Sequence, residues 1–350
     1  MKSFAPGPGD RCFEGAVVFD ERLAVWACSR TLHFHLTFKD HSRGAILTKM
    51  PRSTQPDPPR TIKKRPEPLP VPSVHGLDSW GGNTKCGIAW EVRCGDARTV
   101  METFEADRFS CVVTSPPYYS QRDYGVDGQI GLEKSIAGYV SRVVDAFEEV
   151  KRVLAPDGTL FLNLGDTYYS GKGQPVGDDR KNGARRFGLR PVDASGLGVP
   201  RKTSIGIPWR VALAMIDSGW TLRCPIVWLR NGTPPEPTAH DRPWRTYEML
   251  FLFTKGPKYD FWRDKLNGEE DVWNISNRPS HTRGGHSAAF PDELVRKCLE
   301  VGCRPRGEVL DPFAGSGTVL RVATESGRPA VGIDISDKYC SHIVKCMGTH

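Results

Sequence analysis

"GEVLDPFAGSGTVLRVATESGRPAVGIDI", residues 307–335, writes out a strand, a glycine turn, a helix and a second strand in order. Val309 and Leu310 run into Asp311, then Phe313, Gly315 and Gly317 punctuate a turn, an amphipathic stretch follows, and a second apolar run ends on Asp334. A unit of this pattern predicts two parallel strands joined by a crossover helix. Glycines in the turn let the backbone come close to a ligand. An acid at the next strand end, 23 residues after Asp311, suits the paired hydroxyls of a ribose. Such a turn standing alone also serves as a plain strand-to-helix connection without a ligand.

The same grammar extends outward from this unit. "SCVV" (110–113), "TLFLNL" (159–164), "CPIVWL" (224–229) and "MLFLFT" (249–254) are apolar runs of strand length bounded by turn-forming residues. In "SIAGYVSRVVDAFEEVKRVL", residues 135–154, the spacing of Ile136, Val140, Val143, Phe147, Val150 and Leu154 predicts one helix with one apolar stripe. Pro208 and Pro291 stand where helices begin. Strands alternating with helices give an α/β fold of Rossmann-like type, a mixed and mostly parallel sheet with helices on both faces. Ligands then belong at the carboxyl ends of the strands.

The chain has 350 residues, 38% of them hydrophobic, enough for one large core. Residues 1–50 read as an N-terminal extension with patchy apolar content. Residues 51–85 read as a linker, because eight of the 22 residues from Pro51 to Pro72 are proline. Residues 86–350 read as the main domain, with a basic flexible insertion at about 167–204. The net charge of +7 suits a polyanionic partner without requiring one. With no leader-like start and no membrane-length apolar run, the expectation is a soluble, cytoplasmic protein. The ten cysteines form no CxxC pair, and neither Cys298 with Cys303 nor Cys340 with Cys346 has histidines at ligand spacing. They read as buried thiols, and no metal is assigned.

The missing residues narrow the cofactor. Gly317 is followed by Thr318 with no lysine, which excludes a Walker-type phosphate loop, and Leu320 stands where a dinucleotide fingerprint wants a small residue. The loop carries acids and an aromatic instead. Asp311 suits an ammonium, and the ring of Phe313 suits apolar or positive atoms. S-Adenosylmethionine has both an ammonium and a sulfonium.

A second strand end, "SCVVTSPPYY" at residues 110–119, carries different chemistry. Each proline of Ser115-Pro116-Pro117-Tyr118 locks its φ and removes an N–H, which leaves carbonyls and a hydroxyl as acceptors. An exocyclic amine on a nucleobase is a poor nucleophile, because its lone pair is delocalised into the ring. Acceptors on its two hydrogens localise that pair toward a methyl donor, and Tyr118 would stack on a base turned out of the duplex. Taken alone, the stretch also reads as a proline turn with surface tyrosines.

"TSPPYY" followed by "DPFAGSGT" and "GIDI", in that order, resembles the β-class amino-methyltransferases of DNA, over about residues 90–340. "CGDA" (94–97), "GDTYY", "GIPWRVALAMIDSGWTLR", "IVWLRNGTPPEP" and "HSAAFP" (286–291) resemble further segments of that class. The resemblance implies that Ser115, the Pro116 carbonyl and Tyr118 hold the target base on the stiff loop made by Pro116 and Pro117. It implies S-adenosylmethionine as cofactor, with Asp311, Phe313, Gly315 and Gly317 on its methionine half, Asp334 on the ribose, Asp96 on the adenine edge, and Phe290 and Pro291 beside it. Ser115 stands where most adenine-modifying members have Asp, which favours cytosine N4 over adenine N6. Asp334 stands where the class often has Glu.

The expected function is therefore site-specific methylation of double-stranded DNA at cytosine N4, in a restriction-modification setting with a partner endonuclease. Adenine N6 methylation is the alternative. Methylation of RNA or a small molecule, and a noncatalytic DNA-binding protein that kept the fold, stand further off. Cytosine C5 chemistry needs a nucleophilic thiolate, and the only neighbouring pair is Cys224 with Pro225. For DNA contact, Lys172 to Lys202 holds eight Lys or Arg against three Asp, which suits a phosphate backbone. The segment around Arg242, Trp244, Arg245 and Tyr247 suits contact with phosphate or bases, but the two aromatics are rather expected to pack into the sheet.

Overall fold

The quoted unit folds as read. In the computed structural model, strand β10 (Val309–Asp311) pairs in parallel with β11 (Ala330–Asp334), and helix α5 (Thr318–Glu325) makes the crossover. The structure describes residues 78–172, 190–232, 236, 239–276 and 291–348, and the backbone of 17–20 and 23–25. The chain divides into two units, Met1–Leu69 and Pro70–His350. In the first, β1 (Val17–Asp20) and β2 (Leu23–Val25) form an antiparallel ribbon.

Among the described residues the second unit is built on nine strands. In chain order they are β3 (Ser79–Asn83), β4 (Ala89–Cys94), β5 (Phe109–Thr114), β6 (Leu154–Leu164), β7 (Thr221–Asn231), β8 (Tyr247–Thr254), β9 (Val272–Ser276), β10 and β11. Across the sheet the order is β3-β4-β11-β10-β5-β6-β8-β7-β9. Five of the pairings are parallel and three, β3 with β4 and β8 with both its neighbours, are antiparallel. The linker expected over 51–85 therefore ends earlier, since Ser79–Asn83 is already an edge strand. Its sequence, "SWGGN", has neither β-branched residues nor alternation to announce it, and the ladder to β4 holds it.

Helices cover both faces. On one side α1 (Ala97–Met101), α2 (Ile136–Val153) and α3 (Ile207–Asp217) pack Val100, Tyr139, Val143, Phe147, Val150, Val211 and Met215 onto the sheet. On the other α4 (Asp292–Gly302), α5 and α6 (Asp337–Met347) bury Leu294, Val295, Leu299, Val319, Leu320 and Ile343. Ser135 caps α2 by accepting from Gly138 N at 3.0 Å. The helix stops at Val153 rather than Leu154, because Ala155 precedes Pro156 and is disfavoured in the helical region. Tyr139 and Ala146 complete its buried stripe, while Val140 is only half-buried. Cys111, Cys298, Cys303 and Cys340 are buried free thiols. Among the described residues no helix is long and apolar enough to cross a membrane.

These pairings bring the carboxyl ends of seven strands to one edge. β8 runs the other way, so its first residues arrive at that same edge, with Leu164 opposite Met249 and Leu229 opposite Tyr247.

Candidate active site

A cavity of about 450 Å³ opens at this edge. Asp311, Phe313 and Gly315 after β10, Asp334 at the end of β11 and Asp96 after β4 line one part of it. Ser115, Pro116, Pro117 and Tyr118 after β5 line another. Residues as far apart in the chain as Asp96 and Asp334 meet because β4, β11, β10 and β5 are successive strands of the sheet.

In the first part the carboxyls are held in place. Asp311 is 2% exposed, and its Oδ1 accepts from Thr114 Oγ1 at 2.6 Å and from Phe313 N at 3.1 Å. Burial pushes its pKa up to about 7 against the opposing effect of these bonds. Asp334 accepts from Gly315 N at 2.8 Å and from Ser336 N at 2.9 Å, and burial raises it to about 6. Gly315 has φ of +53°, a conformation that glycine adopts without strain. Asp96 caps α1 by accepting from Thr99 N at 3.2 Å.

Two of the expected cofactor residues lie outside the cavity lining. Gly317 does not line the cavity; it caps α5 at φ +80°, and a Cβ there would lie 3.0 Å from Ile343, so this glycine serves the turn and its packing against α6. Pro291 is buried ahead of α4, where its carbonyl accepts from Leu294 N and Val295 N, and it is likewise outside the cavity lining. Phe290 lies outside the described residues.

The second part is a polar network the sequence did not announce. Tyr118 Oη lies 2.6 Å from Glu248 Oε2 and 2.8 Å from Asn163 Oδ1. Glu248 Oε1 in turn accepts from Arg230 Nη1 at 2.8 Å. Asn163 Nδ2 donates to Met249 O at 3.1 Å, which fixes the orientation of the amide. Burial, and then the charge of Glu248, push the phenol of Tyr118 well above its ordinary value of 10. Gly165 makes room for the ring, because a Cβ there would fall 2.5 Å from Tyr118 Cε2. Tyr139 Oη donates to the Pro117 carbonyl at 2.9 Å. Asn163, Arg230 and Glu248 sit at the ends of apolar runs that the sequence does show, and a polar residue closing such a run is the only signal it offered. Trp228, Tyr124 and Tyr339 also line the cavity.

Beyond the cavity, Arg242 stacks on Tyr168 with 3.8 Å to the ring centroid and pairs with Glu236 at 2.7 Å. Arg245 donates to the carbonyl of Asp166. The carboxylate of Asp166 accepts from Gly206 N and Ile207 N, capping α3. Trp244 and Tyr247, expected in the sheet, are 52% and 47% exposed, because they flank the start of β8 where the ladder begins. Of the basic insertion, residues 173–189 lie outside the described residues. Among the described residues no group of three or more His, Cys, Asp or Glu is placed to hold a metal ion.

Residues 109–345 match the model of the N6/N4 family described as DNA methylase. The chain is 43% identical over 286 residues to the Type II methyltransferase M.Cfr9I of Citrobacter freundii, covering 79% of this chain and 92% of that protein. It is 44% identical over 259 residues to the Type II methyltransferase M.SmaI of Serratia marcescens, covering 71% and 87%. The fold is similar to that of the PvuII DNA methyltransferase (cytosine-N4-specific), with a TM-score of 0.57 and 21% identity over 74% of this chain and 85% of that one.

Proposed function

The chain belongs to the N6/N4 DNA methylase family, and on that premise we propose that it transfers a methyl group from S-adenosylmethionine to the N4 amine of cytosine in double-stranded DNA. The observation that carries the reading is the meeting of the Ser115-Pro116-Pro117-Tyr118 loop and the acidic glycine loop in one cavity.

The residues fit the cofactor. Among the described residues, the hydrogen-bond partners of Asp311 are the Thr114 hydroxyl and the Phe313 N–H, both neutral, and the buried carboxyl is correspondingly raised. A ligand ammonium beside it offsets that cost. Asp311, Phe313 and Gly315 would hold the methionine half, Asp334 the ribose hydroxyls and Asp96 the adenine edge. The cavity volume falls within the usual range for small-ligand sites. When bound, S-adenosylmethionine supplies an electrophilic methyl group on a positively charged sulfur.

The protein's part is orientation and exclusion of water. Ser115 Oγ and the Pro116 carbonyl accept from the target amine. The Pro117 carbonyl is engaged by Tyr139. The ring of Tyr118, wedged by Gly165, supports the flipped base. Ser115 rather than an acid beside the amine favours cytosine. The relatives are Type II methyltransferases, which supports pairing with an endonuclease that cuts the same DNA site.

The test is mass spectrometry of nucleosides from unmethylated DNA incubated with the protein and S-adenosylmethionine. N4-methylcytosine is expected. N6-methyladenine in its place would overturn the reading of Ser115, and modification of RNA alone would overturn the substrate.

A further inference from the structure

We propose that the outer face of α3 is a self-association surface, covered by a second copy of this chain whose own α3 packs against it antiparallel about a two-fold axis. The association goes beyond the methyl transfer proposed above and stands whichever base is methylated. Among the described residues six large apolar side chains are exposed, and three of them, Trp209, Leu213 and Ile216, stand on α3 at 45%, 58% and 40% exposure. The helix buries Ile207, Pro208, Val211, Ala212 and Met215, so its outer face carries these three together with the exposed Arg210 and Asp217. A surface helix ordinarily turns a polar face outward. The indole of Trp209 stands edge-on to Phe251 of β8, with 5.3 Å between ring centroids, which braces it in place.

The pattern on this face is its own complement. At 3.6 residues per turn the outward residues span about a third of the helix circumference, with Leu213 in the middle, Trp209 and Ile216 along one side and Arg210 and Asp217 along the other. Trp209 and Arg210 precede Leu213 by four and three residues, and Ile216 and Asp217 follow it by three and four. A two-fold axis through Leu213, perpendicular to α3, reverses the helix direction and keeps each side on its own side. Leu213 then meets Leu213 of the partner subunit, Trp209 meets Ile216 of the partner subunit, and Arg210 meets Asp217 of the partner subunit, the last two contacts each formed twice. Arg210 Nε donates to Ile205 O at 2.8 Å, which steadies the guanidinium near the start of the helix. One cation and one anion cancel, so the face does not suit the uniformly anionic backbone of DNA. A single helix pair lies at the small end of stable interfaces, and a weak, concentration-dependent dimer is expected.

Sedimentation velocity of the full chain over a wide concentration range, without DNA, tests this. A monomer–dimer equilibrium is expected. Leu213→Lys should weaken it by at least about tenfold, because the substitution enters the central contact from both copies. Arg210→Asp alone and Asp217→Arg alone should each weaken it by about tenfold, since each sets like charges opposite one another twice. Both reversals put an acid near the start of the helix or a base at its end, which the helix dipole favours, so folding should hold. An equimolar mixture of the two variants should associate about as tightly as wild type, because both ion pairs are restored, one of them with its charges exchanged. Misfolding gives no such rescue. S-Adenosylmethionine affinity should stay within about threefold throughout, since no residue of this face lines the cavity.

A dimer that these substitutions leave unchanged, or a mixture that fails to associate, overturns the proposal. A wild-type monomer at every concentration also overturns it, and alkylation of Leu213→Cys, read by peptide mass spectrometry, then identifies what covers the face instead. Shielding without DNA would assign it to another part of the same chain, and shielding only with DNA would assign it to the duplex.

Discussion

Thr114 Oγ1 donates a 2.6 Å hydrogen bond to Asp311 Oδ1, joining the last residue of β5 to the last residue of β10 across 197 positions of sequence. One bond thus ties the loop proposed to hold the target base to the loop proposed to hold the cofactor. Thr114→Val keeps the shape and removes the donor, and a buried carboxyl deprived of a partner loses about 1–3 kcal/mol. S-Adenosylmethionine binding should weaken about tenfold by titration calorimetry. Unchanged affinity would separate Thr114 from the site.

Cofactor binding should depend on pH. A cationic ligand binds the ionised form of Asp311, whose pKa is about 7, and Asp334, at about 6, follows the same rule. Affinity should therefore fall as pH drops from 8 to 5.5, with protons released on binding near neutrality. Calorimetry in two buffers of different ionisation enthalpy measures that release directly; none at pH 6.5 would contradict it.

Stability should move the opposite way. The folded-state pKa of Asp311, about 7, lies above the unfolded value of about 3.9. Between the two, the native state holds a proton that the unfolded chain has lost. That stability is fully present below pH 4 and is lost as pH rises through 7. Asp311→Asn removes a cost of up to about 4 kcal/mol above pH 7 and nearly none at pH 4. The ligand-free variant should melt higher than wild type at pH 8, with a smaller difference at pH 5, and should not bind the cofactor. Equal shifts at both pH values would refute this.

Ser115→Ala and Asp334→Ala should divide the labour. The first should abolish methyl transfer with near-normal cofactor binding, and the second should weaken binding first. Equal loss of affinity in both variants would refute the division.

Gly165→Ala puts a methyl group 2.5 Å from the Tyr118 ring. Relief requires the ring to move, at a cost of about 1–3 kcal/mol. Transfer should fall sharply while cofactor affinity holds, because Gly165 touches the base-binding part alone. Full activity would show that the ring adapts.

Local order in the chain is legible in the sequence as far as contiguous stretches extend. β10, α5 and β11 with their acids, and the Ser115 loop, are contiguous stretches whose chemistry follows from spacing, and the cavity gathers them. Gly317 and Pro291 share the turns next to the cavity, but which way a turn residue faces depends on what packs behind it, here Ile343 in the case of Gly317. Asn163 and Arg230 stand near the ends of β6 and β7 and Glu248 near the start of β8, so no single stretch of sequence holds all three. Only the register of β6, β8 and β7 brings them together around Tyr118. Local propensity carries no record of that register. The exposed Tyr247 shows the same limit, since an aromatic at the first residue of a strand is covered only if a neighbour crosses it.

The reversed direction of β8 has a consequence for how such a protein diversifies. The connection from Asn231 to Tyr247 leaves the sheet and returns to it at the same edge, a step from Arg230 on one side and Glu248 on the other. Its length and composition can change without shifting either anchor, as long as the β7–β8 ladder keeps its pairing. An insertion of one residue inside β8 would instead exchange Glu248 for a neighbour pointing to the opposite face. The ladder between β7 and β8 alone keeps Arg230 and Glu248 in register, whatever joins the two strands between Asn231 and Tyr247.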